Sequence, residues 1–398
     1  MLNSWWRRLL AGCLIAMVGL TGCEDATAPW DRYVDRGDLL FQQGRFKEAK
    51  EQYATALKEA ETFGEEDPRL PRSLTKLAAV HDAQGEYEQA EPLLSRAVSL
   101  NEQILGNRDP QFAASLSNLA ALYFAQRHYE KALPLFERAL HVRQEALGAD
   151  HIDLTLDLKN LAGVLAAQEH YAQAETHLLR ALEITENVTG PDDLQLVERL
   201  NNLALLYRAQ ENYEKAIPLL ERALAINAKQ YGTESPGLLG SLNNLASMLV
   251  AQGTPGKAEE LLKQALHINE QSFGPENPRL VASLTKLADF YRLQGQFEKA
   301  EPLLVNALDI NKTKFGPEHE KVANVANNLA LLYLLQKKYA KAEPLFAQAL
   351  AINEKILGKE HPIVARTLRN YAALLKKTNR EQGAQKLEAR IATIEQES

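Results

Sequence analysis

The chain has 398 residues, of which 45% are hydrophobic and 24% are charged. Its formal net charge is −7, from 52 Asp and Glu against 45 Lys and Arg. A net-acidic chain lacks the broad basic surface of nucleic-acid-binding proteins, which argues against that class. The two cysteines, Cys13 and Cys23, both lie near the N-terminus, so no disulfide is expected in the remainder.

The first predicted element is a targeting segment. Arg7 and Arg8 precede an apolar run from Leu9 to Leu20, and small residues follow it. This order is typical of a secretory signal, and the run is shorter than the ~20 residues that a membrane-spanning helix needs. We therefore expect residues 1–22 to be a signal peptide and residues 23–30 to form a short tether.

The four residues from Leu20 to Cys23 also resemble the lipobox of bacterial lipoproteins. The resemblance implies that Cys23 is lipidated, which would anchor an extracytoplasmic protein to the inner membrane, the outer membrane or the cell surface. Two alternatives stay open. The segment could be an uncleaved anchor of a cytoplasmic protein, or the Cys could follow a plain signal peptide by chance.

From Asp31 onwards the chain repeats itself about every 42 residues. A period of this length indicates a solenoid of stacked units. We expect about eight repeats and a C-terminal capping helix pair over residues 31–398, with no second domain. The period is marked by an unbroken series of glycines, namely Gly64, Gly106, Gly148, Gly190, Gly232, Gly274, Gly316 and Gly358.

Each repeat reads as two amphipathic helices. In the fifth repeat, apolar residues recur at helical spacing over 200–207 and again over 216–223, on either side of a polar break at 210–212. Three columns of alanine run through the copies, which predicts close approach of helix backbones. The columns contain Ala78, Ala120, Ala162, Ala204, Ala246, Ala288, Ala330 and Ala372; Ala90 to Ala384; and Ala97 to Ala349.

The repeat resembles the tetratricopeptide repeat, and its 42-residue length and sequence pattern resemble the kinesin light chain type. The resemblance implies an all-α fold, a right-handed superhelical solenoid of antiparallel helix pairs. It also implies binding of proteins or peptides. The residues that carry it in the fifth repeat are Leu203, Ala204, Tyr207, Ala216, Leu220 and Ala223.

The junctions between repeats have a regular chemistry. Each glycine is expected to end a second helix in the left-handed αL conformation. Three residues later a capping position begins the next helix, and five of the eight residues there are strong N-cap types. Because His151, His319 and His361 occupy this position, we interpret them as caps and not as metal ligands.

Nothing in the sequence indicates catalysis. It contains no HExxH or CxxC motif, no glycine-rich phosphate loop and no serine in a nucleophile elbow. We therefore expect no enzymatic activity, no cofactor, no metal and no small-molecule substrate.

Beside the core face of each first helix lies a second stripe, at positions i, i+4, i+7 and i+11. We call it the groove stripe, because the resemblance implies that it lines a concave groove. Its second position is usually Asn, which can both donate to and accept from a peptide unit. An Asn there could instead bond to a neighbouring helix. The column contains Asn118, Asn160, Asn202, Asn244, Asn328 and Asn370.

Basic residues also lie on or near this stripe. Lys76 and Lys286 replace the Asn in two repeats, and Arg208 and Arg292 lie close by. They favour an acidic partner by charge complementarity. The sequence as a whole predicts a membrane-tethered adaptor that binds a protein segment in the groove. Two alternatives are a structural component of an envelope assembly and a cytoplasmic adaptor.

Overall fold

The computed structural model describes residues 29–396, which form eighteen α-helices, a 3₁₀ helix and, within that range, no strand. The predicted signal peptide and Cys23, the predicted lipidation site, lie outside the described residues. The first ten helices are α1 (Pro29–Gln42), α2 (Phe46–Glu61), α3 (Arg69–Ala83), α4 (Tyr87–Leu105), α5 (Pro110–Ala125), α6 (Tyr129–Leu147), α7 (Leu154–Ala167), α8 (Tyr171–Thr189), α9 (Gln195–Ala209) and α10 (Tyr213–Tyr231).

The other eight helices follow a 3₁₀ turn at Pro236–Leu238. They are α11 (Leu239–Gln252), α12 (Pro255–Phe273), α13 (Leu280–Leu293), α14 (Phe297–Phe315), α15 (Glu320–Leu335), α16 (Tyr339–Leu357), α17 (Pro362–Lys377) and α18 (Glu381–Gln396). Among the described residues, no helix is both long enough and apolar enough to cross a bilayer.

The chain divides into two compact units, which we call unit 1 (up to Ala223) and unit 2 (from Leu224). In unit 1 consecutive helices pack against each other from α1 through to α9, and in unit 2 they do so from α11 through to α18. The all-helical fold of consecutive helix pairs confirms the predicted fold class. Pro29 and Trp30, which the sequence placed in the tether, lie in α1, and Trp30 is buried.

The alanine columns are buried in the core. Ala120, Ala162, Ala204 and Ala330 on first helices are fully buried, and so are Ala132, Ala174, Ala216 and Ala300 on second helices. A larger side chain at these positions would overpack the interface between two helices. The interpretation of these residues as close helix contacts is therefore confirmed.

A recurring hydrogen bond joins neighbouring repeats. The Tyr near the end of a first helix donates to a Glu on the second helix of the preceding repeat. Tyr123 donates to Glu91 at 2.8 Å, and Tyr291 donates to Glu259 at 2.8 Å. Partial burial and the adjacent carboxylate raise the pKa of Tyr123 to about 12. Tyr207 and Tyr333 make the same bond to Glu175 and Glu301.

A second recurring bond is buried between a second helix and the next first helix. Asn227 Nδ2 donates to Ser241 Oγ at 2.8 Å, and Asn269 donates to Ser283 at 2.6 Å. Asn101 with Ser115 and Asn353 with Thr367 repeat the arrangement. These neutral pairs satisfy polar groups that would otherwise be buried without a partner.

The predicted caps are present at all eight junctions. At each one the side chain accepts a hydrogen bond from the backbone N–H two residues further on. His151, His319 and His361 accept through Nδ1 at 3.2 Å in each case. The interpretation of these histidines as caps is therefore confirmed. The other caps are Asp67, Asp109, Asp193, Ser235 and Asn277.

The glycines that end the second helices adopt positive φ, but the predicted αL conformation is wrong. Gly316 has φ 87° and ψ 161°, and its N–H donates to the carbonyl of Lys312 at 3.0 Å. The last helical bond is therefore an ordinary one, after which the chain turns directly into an extended direction. This region of backbone conformation is essentially restricted to glycine.

We expect Gly316→Ala to destabilise the protein by about 1–3 kcal/mol, because alanine would be held in this strained conformation. Apart from the two chain neighbours, no described residue has an atom within 4 Å of the added β-carbon, so a clash does not contribute. Gly240→Ala is the matched control, since Gly240 has equally open space but lies inside helix α11. It should stabilise by about 0.4–1 kcal/mol. Equal effects of both changes in denaturant titrations would show that strain is not the cause.

Candidate functional site

The groove stripe is mostly closed in unit 1. Asn160 and Asn202 are each only 2% exposed, and Asn118 is half-buried. The amide nitrogen of Asn202 is buried without a hydrogen-bond partner among the described residues. A ligand would have to displace neighbouring side chains before it could reach the amides of Asn160 and Asn202.

The same column is more open in unit 2. Asn328 is exposed, while Asn244 and Asn370 are half-buried. The Nδ2 group of Asn370 donates to Oδ1 of Asn327 at 3.2 Å, which is the inter-helix role that the sequence left open as an alternative. Asn328 is therefore the amide of this column that a ligand could reach most directly.

Two of the four predicted groove cations already have a partner within the chain. Lys76 Nζ lies 2.7 Å from the carboxylate of Asp38, one repeat earlier. Arg292 pairs with Asp289 on the same helix at 2.6 Å. These carboxylates neutralise the charges on which the sequence argument relied.

Other cations of the stripe have no such partner. Lys286 and Arg208 are exposed, and neither forms an ion pair among the described residues. Neighbouring residues shield part of the exposed Lys286 side chain from water, and this desolvation lowers the pKa of its ammonium group. In α17, Arg366 and Lys377 are likewise exposed and unpaired within the described part. Among the residues that the structure describes, unit 2 thus has three cations without an ion pair on its groove stripe: Lys286, Arg366 and Lys377.

Two exposed leucines lie on the same stripe. Leu293 and Leu335 are 60% and 43% exposed, and they occupy equivalent positions at the ends of α13 and α15. The stripe of unit 2 therefore combines unpaired positive charge, an accessible amide at Asn328 and exposed apolar surface. These leucines could not be predicted from the repeat pattern, because the equivalent residues in earlier repeats are alanines.

The most unusual ionisable group lies away from this stripe. Asp157 is completely buried, where it pairs with Arg143 and accepts a hydrogen bond from Ser117 Oγ at 3.2 Å. Burial raises the pKa of the Asp157 carboxyl despite the neighbouring guanidinium. Arg143 and Asp157 occupy the positions of Asn101 and Ser115, one repeat later. The geometry therefore indicates a structural ion pair rather than a catalytic acid.

No group of three His, Cys, Asp or Glu side chains within residues 29–396 is arranged to hold a metal ion. The histidines at the junctions are engaged as helix caps, and His81 lies 2.6 Å from Glu86. Other charged side chains of the described chain join one helix or repeat to another, as Arg138 does with Glu102.

Comparison with known proteins agrees with this architecture. A family model described as "Tetratricopeptide repeat" matches residues 33–103, 111–187, 153–229, 196–271, 237–313, 279–355 and 321–394. No curated protein matches the chain.

Among solved structures, BtubC (BKLC) from P. vanneervenii is 25% identical, with a TM-score of 0.51. The match covers 57% of this chain and 92% of that one. Kinesin light chain repeats from Podosopora anserina are 29% identical, with a TM-score of 0.46, over 52% of this chain and 98% of that one.

Proposed function

Because the chain belongs to the tetratricopeptide repeat family, we propose that it is an adaptor that captures an acidic segment of a partner protein on the groove stripe of unit 2. Repeats of this family are protein–protein interaction scaffolds, and the fold is typically non-catalytic. The observation that carries the proposal is the set of unpaired cations, Lys286, Arg366 and Lys377, beside the exposed Leu293 and Leu335.

Both features favour a ligand of defined chemistry. The Lys286 ammonium is only partly desolvated and has no counter-ion among the described residues, so a carboxylate of the partner would stabilise its charged form. The two leucines offer apolar surface that a bound side chain would remove from water, at about 25 cal/mol per Å². The preferred segment therefore carries carboxylates together with large apolar side chains.

We expect Lys286→Glu to weaken binding of such a segment at least tenfold, which corresponds to about 1.4 kcal/mol. The probes are labelled peptides that alternate Glu and Leu, Glu and Ser, or Lys and Leu, with affinities measured by fluorescence anisotropy. The first should bind the parent protein most tightly. Lys314→Glu is the matched control, because Lys314 is exposed and unpaired in unit 2 but lies on the second helix α14. Equal loss in both variants would contradict a site on the groove stripe.

We further propose that Cys23 tethers the adaptor to a membrane on its extracytoplasmic side, as the lipobox resemblance implies. A short tether would keep the helices near the bilayer. Cells expressing the parent should incorporate radiolabelled palmitate into the protein, and Cys23→Ala should abolish this. If Cys23→Ala still incorporates the label and partitions with membranes, the proposed lipidation of Cys23 is contradicted.

A further inference from the structure

The two units carry opposite net charge, which the overall value conceals. Residues 29–223 contain 21 Lys and Arg against 32 Asp and Glu, a net charge of −11. Residues 224–396 contain 22 Lys and Arg against 17 Asp and Glu, a net charge of +5. Two copies of the chain therefore offer each other complementary surfaces at low ionic strength.

The negative charge of unit 1 has one concentrated site. The segment of residues 61–67, which runs from the last residue of α2 into the loop before α3, carries four carboxylates and no basic residue. We call it the acidic loop. The seven equivalent loops further along the chain have net charges between −2 and +1, ending at +1 for residues 355–361. The acidic loop therefore stands out from the repeat pattern.

Intramolecular contacts neutralise the acidic loop only in part. Glu61 and Glu65 both lie near Arg96, at 3.3 and 3.9 Å, and Asp67 pairs with Arg69 at 2.6 Å. Glu66 is exposed and has no ion-pair partner among the described residues. Four carboxylates thus face two guanidinium groups, which leaves an excess of two negative charges.

An aromatic side chain lies within the same loop. Phe63 is 39% exposed, and one face of its ring is covered by the guanidinium of Arg69, 3.5 Å from the ring centroid. The acidic loop therefore combines carboxylates with an exposed large apolar side chain. The groove stripe of unit 2 favours the same two features, because Lys286 attracts carboxylates and Leu293 offers apolar surface.

We propose that the partner on this stripe is a second copy of the chain, which inserts its acidic loop into the groove stripe of unit 2. This inference rests on the proposed function of that stripe. The contact is heterologous, since the acidic loop of one copy meets a different surface of the next. Free acidic segments and the acidic loop would then compete for the same cations.

The test is sedimentation velocity of the full chain in one detergent at about 0.01 M and about 1 M salt, where the Debye length is about 30 Å and about 3 Å. Self-association is expected at low salt and its loss at high salt. A chain that is monomeric at low salt overturns the inference, although the peptide measurements could still support the proposed function.

Two triple variants locate the contact. The loop variant changes Glu61, Glu65 and Glu66 to Lys and leaves the cap residue Asp67 in place. The groove variant changes Lys286, Arg366 and Lys377 to Glu. Each alone should be monomeric at low salt. A mixture of the two should form complexes, because the Lys-bearing loop of the loop variant is complementary in charge to the Glu-bearing groove stripe of the groove variant.

Matched controls carry the same charge changes elsewhere. One reverses Glu130, Glu211 and Glu214 in unit 1, and the other reverses Lys257, Lys314 and Lys359 in unit 2. All six residues are exposed and have no ion-pair partner among the described residues. Both controls should self-associate like the parent. Loss of association in the controls, or its persistence in the loop or groove variant, overturns the inference.

Discussion

Asp157→Ser alone is expected to destabilise the protein by about 3–5 kcal/mol, and Arg143→Asn alone should cost a similar amount. Each change leaves the other charge buried without its partner. Asp157 has no solvent exposure and Arg143 only 8%. Removal of a buried charge partner is costly because the remaining ion cannot regain its hydration while the fold persists.

The double variant Arg143→Asn with Asp157→Ser should recover most of this loss. It installs the neutral pair that joins Asn101 to Ser115 and Asn227 to Ser241 in the same chain. A buried ion pair is often no more stabilising than an uncharged replacement of suitable shape, because desolvation offsets the attraction. We expect the free energy of unfolding of the double variant to be within about 1 kcal/mol of that of the parent, or higher than it.

Denaturant titration of the four proteins gives the double-mutant cycle directly. The expected coupling between Arg143 and Asp157 is large and favourable. Single variants that cost less than about 1 kcal/mol would show that water reaches this pair and that the ion pair is not buried in solution. A double variant as unstable as the singles would show that the neutral pair does not fit this junction.

Trp30→Ala is expected to destabilise the first repeat by about 3–5 kcal/mol, as removal of a buried Trp side chain typically does. Trp30 is 3% exposed and packs with Val34, Ala56 and Leu70. Its Nε1–H donates to Ser73 Oγ at 2.8 Å, which joins α1 to α3. Loss of this side chain removes both an apolar contact and a hydrogen bond at the end of the helix stack.

Trp30→Phe is the matched control, because it keeps most of the apolar contact and loses the hydrogen bond. It should cost about 1 kcal/mol, since Ser73 Oγ still donates to the carbonyl of Arg69. Hydrogen exchange should show lost protection in α1 and α2 of the Ala variant, while α13 to α18 remain protected. Unchanged protection in α1 would contradict the role assigned to Trp30.

The repeat pattern was sufficient to predict the helix pairs, the alanine contacts and the caps, because each depends on local spacing. Ala204 is buried between helices and His319 caps a helix, as that spacing predicted. The conformation of Gly316 was not predictable in the same way. A glycine at this position indicates a positive φ. Its ψ, which distinguishes αL from the extended conformation observed, depends on where the next helix starts.

The solvent exposure of the groove-stripe side chains could not be predicted from the sequence either. Asn160 and Asn328 occupy the same position in their repeats, yet one is buried and the other exposed, because exposure depends on packing by neighbouring helices. The charge of Lys76 is neutralised by Asp38, which lies 38 residues earlier in the chain. Pairing of this kind depends on which columns face each other across a junction, and a single repeat does not contain that information.

The Tyr–Glu and Asn–Ser bonds join only residues of the same or adjacent repeats. From Tyr123–Glu91 to Asn353–Thr367, the partners lie no further apart than one repeat length. Loss or duplication of a whole 42-residue segment therefore preserves these bonds wherever the two repeats that become neighbours both carry the recurring residues. Gene duplication can lengthen such a protein without inventing a new interface, whereas insertion of a few residues within a helix would shift every partner out of position.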